Sequence, residues 1–542
     1  MYPFFCMVLN MLILITLWEL GLVLLCTVFM IKKCMCMRGG EQQIYKIIVL
    51  CLSLILSFIL GGQLSALFVT GRYVDVLTLS NLYSYSDVGW KIVLSSASII
   101  LICLGVTLFV AIATKKGRYK HISWPIILYC LVFWCINPQG AIYSFGKTCY
   151  GYFDQSFYTP NAKIRKIQQQ IYAQNITYNN KFDAQKVMDL RNKNIVVVFA
   201  EGFSFQWIDK FNKYKDLTPN LDQFLETSVY FDNYYNHTAA TFRGLRGQLT
   251  SSYQLRSGYV KAHNGLGQIS EAEIKQSLTG NLVSIPHILK NNSYSTYFLS
   301  THPSTHQLNM VLKTLEFDTV FGADSFTHTK QTGKNLTDQQ LFSALGDFIN
   351  NDKLKKPFFI GTYNIGTHLG QNSPDVKYAD GSNILLNTIH NFDDAFGKFW
   401  QSVKDRKDLV IILTADHAAY PSELYDKTFS THRKYPVDKI PFAVWYNSVN
   451  PTVFDAQGRN SLDFAPTLLQ AMGIRQAFNY FLGCSLFSAE CSKEFDHIHS
   501  EGGGLFLLTP SLRKLDNRNA DDKAIIQKIR DFFNLSEDRR FI

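Results

Sequence analysis

Within its first 145 residues the chain carries four apolar runs, each near the ~20 residues that an α-helix needs to cross a bilayer core. They run over Pro3–Ile31, Ile47–Thr70, Ile92–Ala113 and Ile122 to about Ile142. Any fold must satisfy their backbone polar groups internally, and helices do so in lipid. The first run is too long, and the loop after it too basic, for a simple cleaved signal peptide. Glu19 lies inside it and is expected to face another helix or water. Lys32, Lys33, Arg38 and Lys46 flank the first loop, and Lys115, Lys116, Arg118 and Lys120 fill the third. The second loop has only Arg72. Positive loops stay cytoplasmic, so the second loop and everything after the fourth crossing are expected outside. Most of the 11 cysteines fall in or beside these runs, where the side chain serves as a small hydrophobe. Cys484 and Cys491 flank a short loop and, outside the cytoplasm, are candidates for a disulfide.

The remainder reads as a polar-surfaced globular region. A net charge of +10 raises the question of nucleic acid, but no basic block with interleaved aromatics is present. The basic residues sit beside the apolar runs, where they suit anionic lipid headgroups, so no nucleic-acid partner is expected. The organisation expected is a transmembrane helical domain over 1–145, a linker with an amphipathic helix over 146–193, a catalytic domain over 194–495 and a C-terminal extension over 496–542.

Ile195–Ala200 (IVVVFA) is a continuous β-branched run, the pattern of a strand buried on both faces of a parallel sheet. Similar runs follow at Ser295–Leu299, Phe358–Asn364, Leu409–Thr414 and Phe442–Tyr446. Helical periodicity separates them at Leu221–Glu226, Val283–Lys290, Asp338–Ile349 and Leu385–Val403. Alternating strands and helices predict an α/β sandwich with a mostly parallel sheet. In such sheets ligands bind beyond the carboxyl ends of the strands. There the sequence places Glu201 after the first run, Gly366-Thr367-His368 after the third and Asp416-His417 after the fourth. Any one of these is ordinary turn chemistry; together they make a mixed oxygen and nitrogen site suited to Zn, Mn or Mg. Thr241 precedes a helical pattern and reads equally as an N-cap or as a nucleophile at a helix N-terminus.

From Asn194 to about Phe487 the chain resembles the sulfatase-like domain of lipoteichoic acid synthases and lipid A phosphoethanolamine transferases, in the alkaline-phosphatase superfamily. The resemblance rests on IVVVFAEGFS, TPNLDQFLETSVYFDNYY, ATFRGLRGQLTS, SIPHILKNNSYSTYFL, TADHAAY, DFAPTLLQAMGI and FLGCSLF, in that order. It implies an alkaline-phosphatase-like domain behind a membrane anchor. It further implies Glu201, Thr241, Asp416 and His417 as ligands of a divalent metal, Thr241 as nucleophile as well, and His368 as a histidine on the substrate side. His302 and His306 are the candidates for one more such histidine, and Arg243 is a candidate for phosphate oxygens. The aromatic and Arg residues that lipoteichoic acid synthases place after that histidine are not evident, so an identical glycerol-phosphate pocket is not implied. The function implied is transfer of phosphoethanolamine or phosphoglycerol from a phospholipid to a cell-envelope glycan or lipopolysaccharide through a phospho-threonine. The location implied is the bacterial inner membrane, multi-pass, with the catalytic domain periplasmic or extracellular. The alternative is a sulfatase-like hydrolase, although the C/S-x-P-x-R motif of true sulfatases is missing around Thr241.

Overall fold

Long apolar segments with few charges fold as helices, and the first three runs do so in a computed structural model of the chain. It describes residues 2–34, 40–70, 73–74, 90–114, 137, 140–157, 183–253, 270–278, 282–326, 335–350, 354–368, 375–474, 481–488, 495–501, 504–508, 512–516 and 518–536. The helices are α1 (Tyr2–Cys34), α2 (Gly40–Thr70) and α3 (Trp90–Ala113), followed by α4 (Ala141–Phe157). Among the described residues, three helices are long and apolar enough to span a membrane, over Leu9–Lys32, Gln42–Val69 and Val93–Ile112. Most of the fourth predicted span and the first and third basic loops lie outside the described residues, as does most of the second loop and of the predicted linker helix.

The chain divides into two units. One comprises Met1–Phe157 together with Pro421–Tyr435; the other comprises Tyr158–Tyr420 and Pro436–Ile542. In the first unit the helices are held by small and hydroxylic residues, as lipid-embedded helices require. A Cβ on Gly61 would lie 2.9 Å from Ile100 Cα, so only glycine allows α2 this close to α3. Ser57 bonds Thr107 at 2.7 Å and Thr27 donates to Ser53 at 2.6 Å. Glu19 is buried and, as expected for a carboxylate inside an apolar helix, faces another helix. Its Oε2 accepts from the N–H groups of Ala141 and Ile142, at 2.9 and 3.1 Å, capping α4. Leu52, Ile55, Phe58, Leu101 and Phe109 project outward. The short helix Glu423–Phe429 packs on α2.

The second unit is built on an eight-stranded sheet. Its strands are β1 (Asn194–Ala200), β2 (Val229–Asp232), β3 (Ser295–Ser300), β4 (Thr319–Phe321), β5 (Phe358–Tyr363), β6 (Leu409–Ala415), β7 (Phe442–Tyr446) and β8 (Thr452–Asp455). The order is β4-β3-β5-β1-β6-β7-β2-β8, and β7 alone runs against its neighbours. β1 and β6 are buried along their whole length, which is why they carry no polar alternation. The parallel register puts Ala200 beside Ala415 and Phe199 beside Tyr363, so the ends of β5, β1 and β6 open on one edge.

Helices α5 (Pro219–Glu226), α6 (Thr241–Thr250), α7 (Gln307–Lys313), α8 (Asp338–Asn350) and α9 (Ile384–Val403) connect and cover these strands. α5, α8 and α9 interlock through Phe224, Phe342, Phe396 and Trp400; the Phe224 ring meets Phe396 edge-on at 5.0 Å. A small antiparallel sheet, β9 (Ile498–Glu501), β10 (Gly504–Leu507) and β11 (Arg513–Lys514), shares a hydrophobic cluster with Tyr253, Leu462 and Leu482. Cys484 is disulfide-bonded, while Cys491 lies outside the described residues.

Candidate active site

Glu201 leaves β1, and Asp416 and His417 leave the neighbouring β6, so adjacent parallel strands deliver all three to one point. Among the described residues they form the one group of three or more acidic, His or Cys side chains able to hold a metal ion. Their candidate ligand atoms lie within 4.8 Å of one another, and all three residues are buried. Each has one polar atom fixed by the protein and another turned to the common centre. Asp416 Oδ1 accepts from the N–H groups of Gly202 and His417, at 2.8 and 2.7 Å, while its buried Oδ2 makes no hydrogen bond. His417 Nδ1 lies 2.8 Å from the Ala418 carbonyl, which fixes it as the donor and turns Nε2 inward. His417 Nε2 stands 3.3 Å from Glu201 Oε1 and 3.5 Å from Asp416 Oδ2. An orphaned buried carboxylate oxygen beside an inward-facing imidazole nitrogen is the donor set that a divalent cation fits.

The electrostatics say the same. Burial drives the Asp416 carboxyl well above its usual range, and the Glu201 charge adds to it. Burial acts on Glu201 in that direction too, but the positive His417, the hydrogen bond from it, and His368 outweigh this and hold the carboxyl well below its usual range. Burial disfavours the charged form of His417, yet Asp416 and Glu201 raise its pKa to about 9. The two carboxylates that draw a proton onto His417 are the same charges that would attract a cation.

Thr241 is the first residue of α6, with Ala240 as the N-cap, and its side chain does not cap the helix. Its Oγ1 donates instead to Glu201 Oε2 at 2.8 Å. Of the two readings open from sequence, the N-cap is set aside by this geometry. Ala240 adopts φ +78°, ψ 137°, a conformation costly for a residue with a Cβ and kept where surrounding structure imposes it. α6 is locked to the end of β6. Gln248 Nε2 donates to the Ala415 carbonyl at 2.7 Å, and Gly244 lies against Asp416, where an added Cβ would fall 2.0 Å from the carbonyl oxygen. Gly244→Ala is therefore expected to push α6 off the strand end. A loss of about 1–3 kcal/mol of stability together with most turnover is the expected result. A native melting temperature with native turnover would contradict it.

The remaining candidates are distributed around this centre. Arg243 and Arg246 are buried within α6 rather than solvated. His302 and His306 stack face to face, with ring centroids 3.9 Å apart. His302 is buried, bonds Asn335 through Nδ1 at 3.0 Å and lies 5.9 Å from the Tyr363 ring. Burial and then His306 push its pKa down to about 3, so it is neutral at working pH. His306 Nδ1 accepts from the Leu308 N–H and caps α7. His368 follows β5 and contributes to the field on Glu201.

The sequence pattern puts Thr367 at this strand end but misses its hold on Glu201, and it misses Tyr363 and Asn364 altogether. Tyr363, Asn364 and Thr367 all come from the end of β5. Tyr363 Oη donates to Glu201 Oε2 at 2.5 Å, and burial followed by the charge of Glu201 keeps that phenol protonated. A tyrosine closing an apolar strand carries no local signal that separates it from core.

Residues 193–474 match the family model described as Sulfatase. The chain is 21% identical over 339 residues to the lipoteichoic acid synthase-like protein YvgJ of Bacillus subtilis (strain 168). That match covers 57% of this chain and 52% of the relative, so the chain spans about half the length of that relative. Among solved structures, a protein in the alkaline phosphatase superfamily from Vibrio parahaemolyticus aligns with a TM-score of 0.51 at 18% identity, over 70% of this chain and 96% of that one. The lipoteichoic acid synthase LtaP from Listeria monocytogenes aligns with a TM-score of 0.50 at 17% identity, over 70% and 98%. Likeness at these identities speaks for the fold, an alkaline-phosphatase-like domain following apolar helices.

Proposed function

The chain belongs to the sulfatase family, and on that premise we propose that it is a membrane-anchored phosphotransferase with Thr241 as nucleophile. The donor is a phospholipid carrying phosphoethanolamine or phosphoglycerol, and the acceptor is a hydroxyl of a cell-envelope glycan or lipopolysaccharide. The observation that carries this reading is the Thr241 Oγ1–Glu201 Oε2 contact of 2.8 Å at the rim of the Glu201, Asp416, His417 cluster. A hydroxyl in place of the modified Cys or Ser of true sulfatases favours phosphoryl transfer over sulfate-ester hydrolysis. Three helices of membrane-spanning length favour a lipid donor. The likeness to lipoteichoic acid synthases points the same way.

Thr241 Oγ attacks phosphorus as its proton leaves toward Glu201 Oε2, the acceptor it already faces. The bond from phosphorus to the diacylglycerol oxygen breaks, and the proton released by Thr241 passes on to that oxygen as diacylglycerol departs. A substituted phospho-threonine remains. The acceptor hydroxyl then attacks it, and Thr241 leaves as the free hydroxyl. The N–H groups at the start of α6 face the phosphoryl oxygens, as helix N-termini do for anions. The neutral His302 orients the group, with His306 stacked behind it, and His368 carries protons. Arg243, on the same first turn, adds positive charge near the phosphate. Glu201, Thr241, Asp416 and His417 would hold a divalent ion (Mn, Mg or Zn), which would supply Lewis-acid stabilisation of the developing phosphoryl charge. In this reading the protein is a multi-pass protein of the bacterial inner membrane, and its catalytic domain faces the periplasm or cell surface.

The test uses the full chain in vesicles of labelled phosphatidylethanolamine or phosphatidylglycerol with Mn²⁺. Release of diacylglycerol and added mass on Thr241 are expected. Turnover of a sulfate ester with neither lipid consumed would replace transfer by hydrolysis.

A further inference from the structure

Glu201 is gripped by one short stretch of chain at nearly every polar atom. Its N–H donates to Asn364 Oδ1 at 3.0 Å, and its carbonyl accepts from Thr367 Oγ1 at 2.6 Å. Oε2 accepts from Tyr363 Oη, and Oε1 is left to face His417. The stretch is itself braced. Asn364 Nδ2 donates to Asp338 Oδ1 at 3.1 Å and to Thr367 Oγ1 at 3.3 Å, and the Gly366 N–H donates to Asp338 Oδ1 at 3.1 Å. With both backbone groups of Glu201 fixed, the freedom that remains to it is rotation of the side chain. Two donors on Oε2 oppose that rotation, Thr241 and Tyr363. One of these is the reacting group, whose hydrogen bond is lost once its proton leaves. The other is a buried phenol on a central strand, facing Phe199 in register.

We propose that Tyr363 is a positioning residue for this centre: it holds Oε2 of Glu201 at the Thr241 hydroxyl and thereby reserves Oε1 for the cation. The inference rests on the reading of Glu201 as ligand and Thr241 as nucleophile. Without the phenol, the carboxylate is free to turn both oxygens toward the centre. The ion then sits less tightly, and the acceptor for the Thr241 proton moves away. Side chains that orient a ligand in this way commonly change ion affinity or activity by about 10–100-fold when removed.

The test compares the native full chain with Tyr363→Phe, in which the ring still fills its buried space. Mn²⁺ titration by calorimetry is expected to give roughly tenfold weaker binding for the variant, on the scale just cited. Turnover should show a lowered kcat with an unchanged KM for lipid, because the phenol is buried and its hydroxyl is spent on Glu201. The melting temperature without Mn²⁺ serves as the fold control and is expected to stay near the native one. Native Mn²⁺ affinity and native kcat in Tyr363→Phe overturn the positioning role while leaving the proposed function standing. A native chain that binds no Mn²⁺ overturns both. Equal loss of Mn²⁺ affinity and of fold, seen as a collapsed melting transition in Tyr363→Phe, also overturns it by making the residue structural; Thr367→Val, which frees the Glu201 carbonyl and loosens Asn364 but leaves both carboxylate oxygens as they are, is the second variant and is expected to weaken Mn²⁺ less than Tyr363→Phe.

Discussion

Thr241→Ala is expected to lower lipid turnover at least about 10³-fold, the scale seen when a covalent nucleophile is removed, and to abolish any covalent phosphoryl adduct. The side chain has no capping role in α6, and its Oγ1 bonds to Glu201 across the site. Removing it takes away one hydrogen bond worth on the order of 1 kcal/mol, so membrane insertion and folding should survive. Thr241→Ser keeps the hydroxyl and should retain a measurable part of the rate. Intact mass of the protein trapped during turnover reads the adduct directly. Retained turnover in Thr241→Ala would remove the nucleophile from the mechanism, and turnover without an adduct in the native protein would argue for direct attack by the acceptor.

Divalent-ion affinity is expected to rise with pH below about 9, because the proton on His417 must leave before the ion binds. The group concerned is His417, whose pKa stands at about 9 in the ion-free protein. Below that value the imidazolium carries a proton on the nitrogen that faces Glu201 and Asp416, and the ion must displace it. The sign for folding is separate. A raised folded pKa means that His417 stabilises the ion-free protein fully below its unfolded value near 6.5, and this contribution is lost as pH rises through about 9. Glu201, held low, acts at the other end: its contribution is present above the usual carboxylate pKa and is lost on strong acidification. Ion titrations in buffers of different ionisation enthalpy count the protons released. Affinity independent of pH over this range would mean that His417 is already neutral before binding.

What could be read from the sequence follows from how local each signal is. β1, β3, β5, β6 and β7 stand out as runs rich in apolar, β-branched and aromatic residues and lie in the interior of the sheet; β2, also interior, is only four residues long and does not stand out. β4 and β8 lie at its edges, are short and partly exposed, and carry no such run. β7 is legible as a strand, but its antiparallel direction is set by pairing with β6 and β2, which no local pattern encodes. Glu201, Asp416 and His417 are legible because strand ends are a readable address. Tyr363, Asn364, Thr367 and Asp338 are not, since their work lies in contacts across 26 to 166 residues of sequence. Thr241 stays ambiguous until the helix is seen to start on it rather than after it. His302 and His306 stay indistinguishable until their rings are seen stacked, with the first buried and bound to Asn335.

The backbone joins the membrane-helix unit twice, once over Met1–Phe157 and again over Pro421–Tyr435, four residues after His417. The residues after Asp183 therefore include a helix, Glu423–Phe429, that packs on α2. It also means that a fragment starting near Asp183 carries that helix without α2, the helix it packs on. Fragments that begin near Asp183 are thus expected to aggregate more readily than the full chain, and trimming residues 421–435 is the remedy to try.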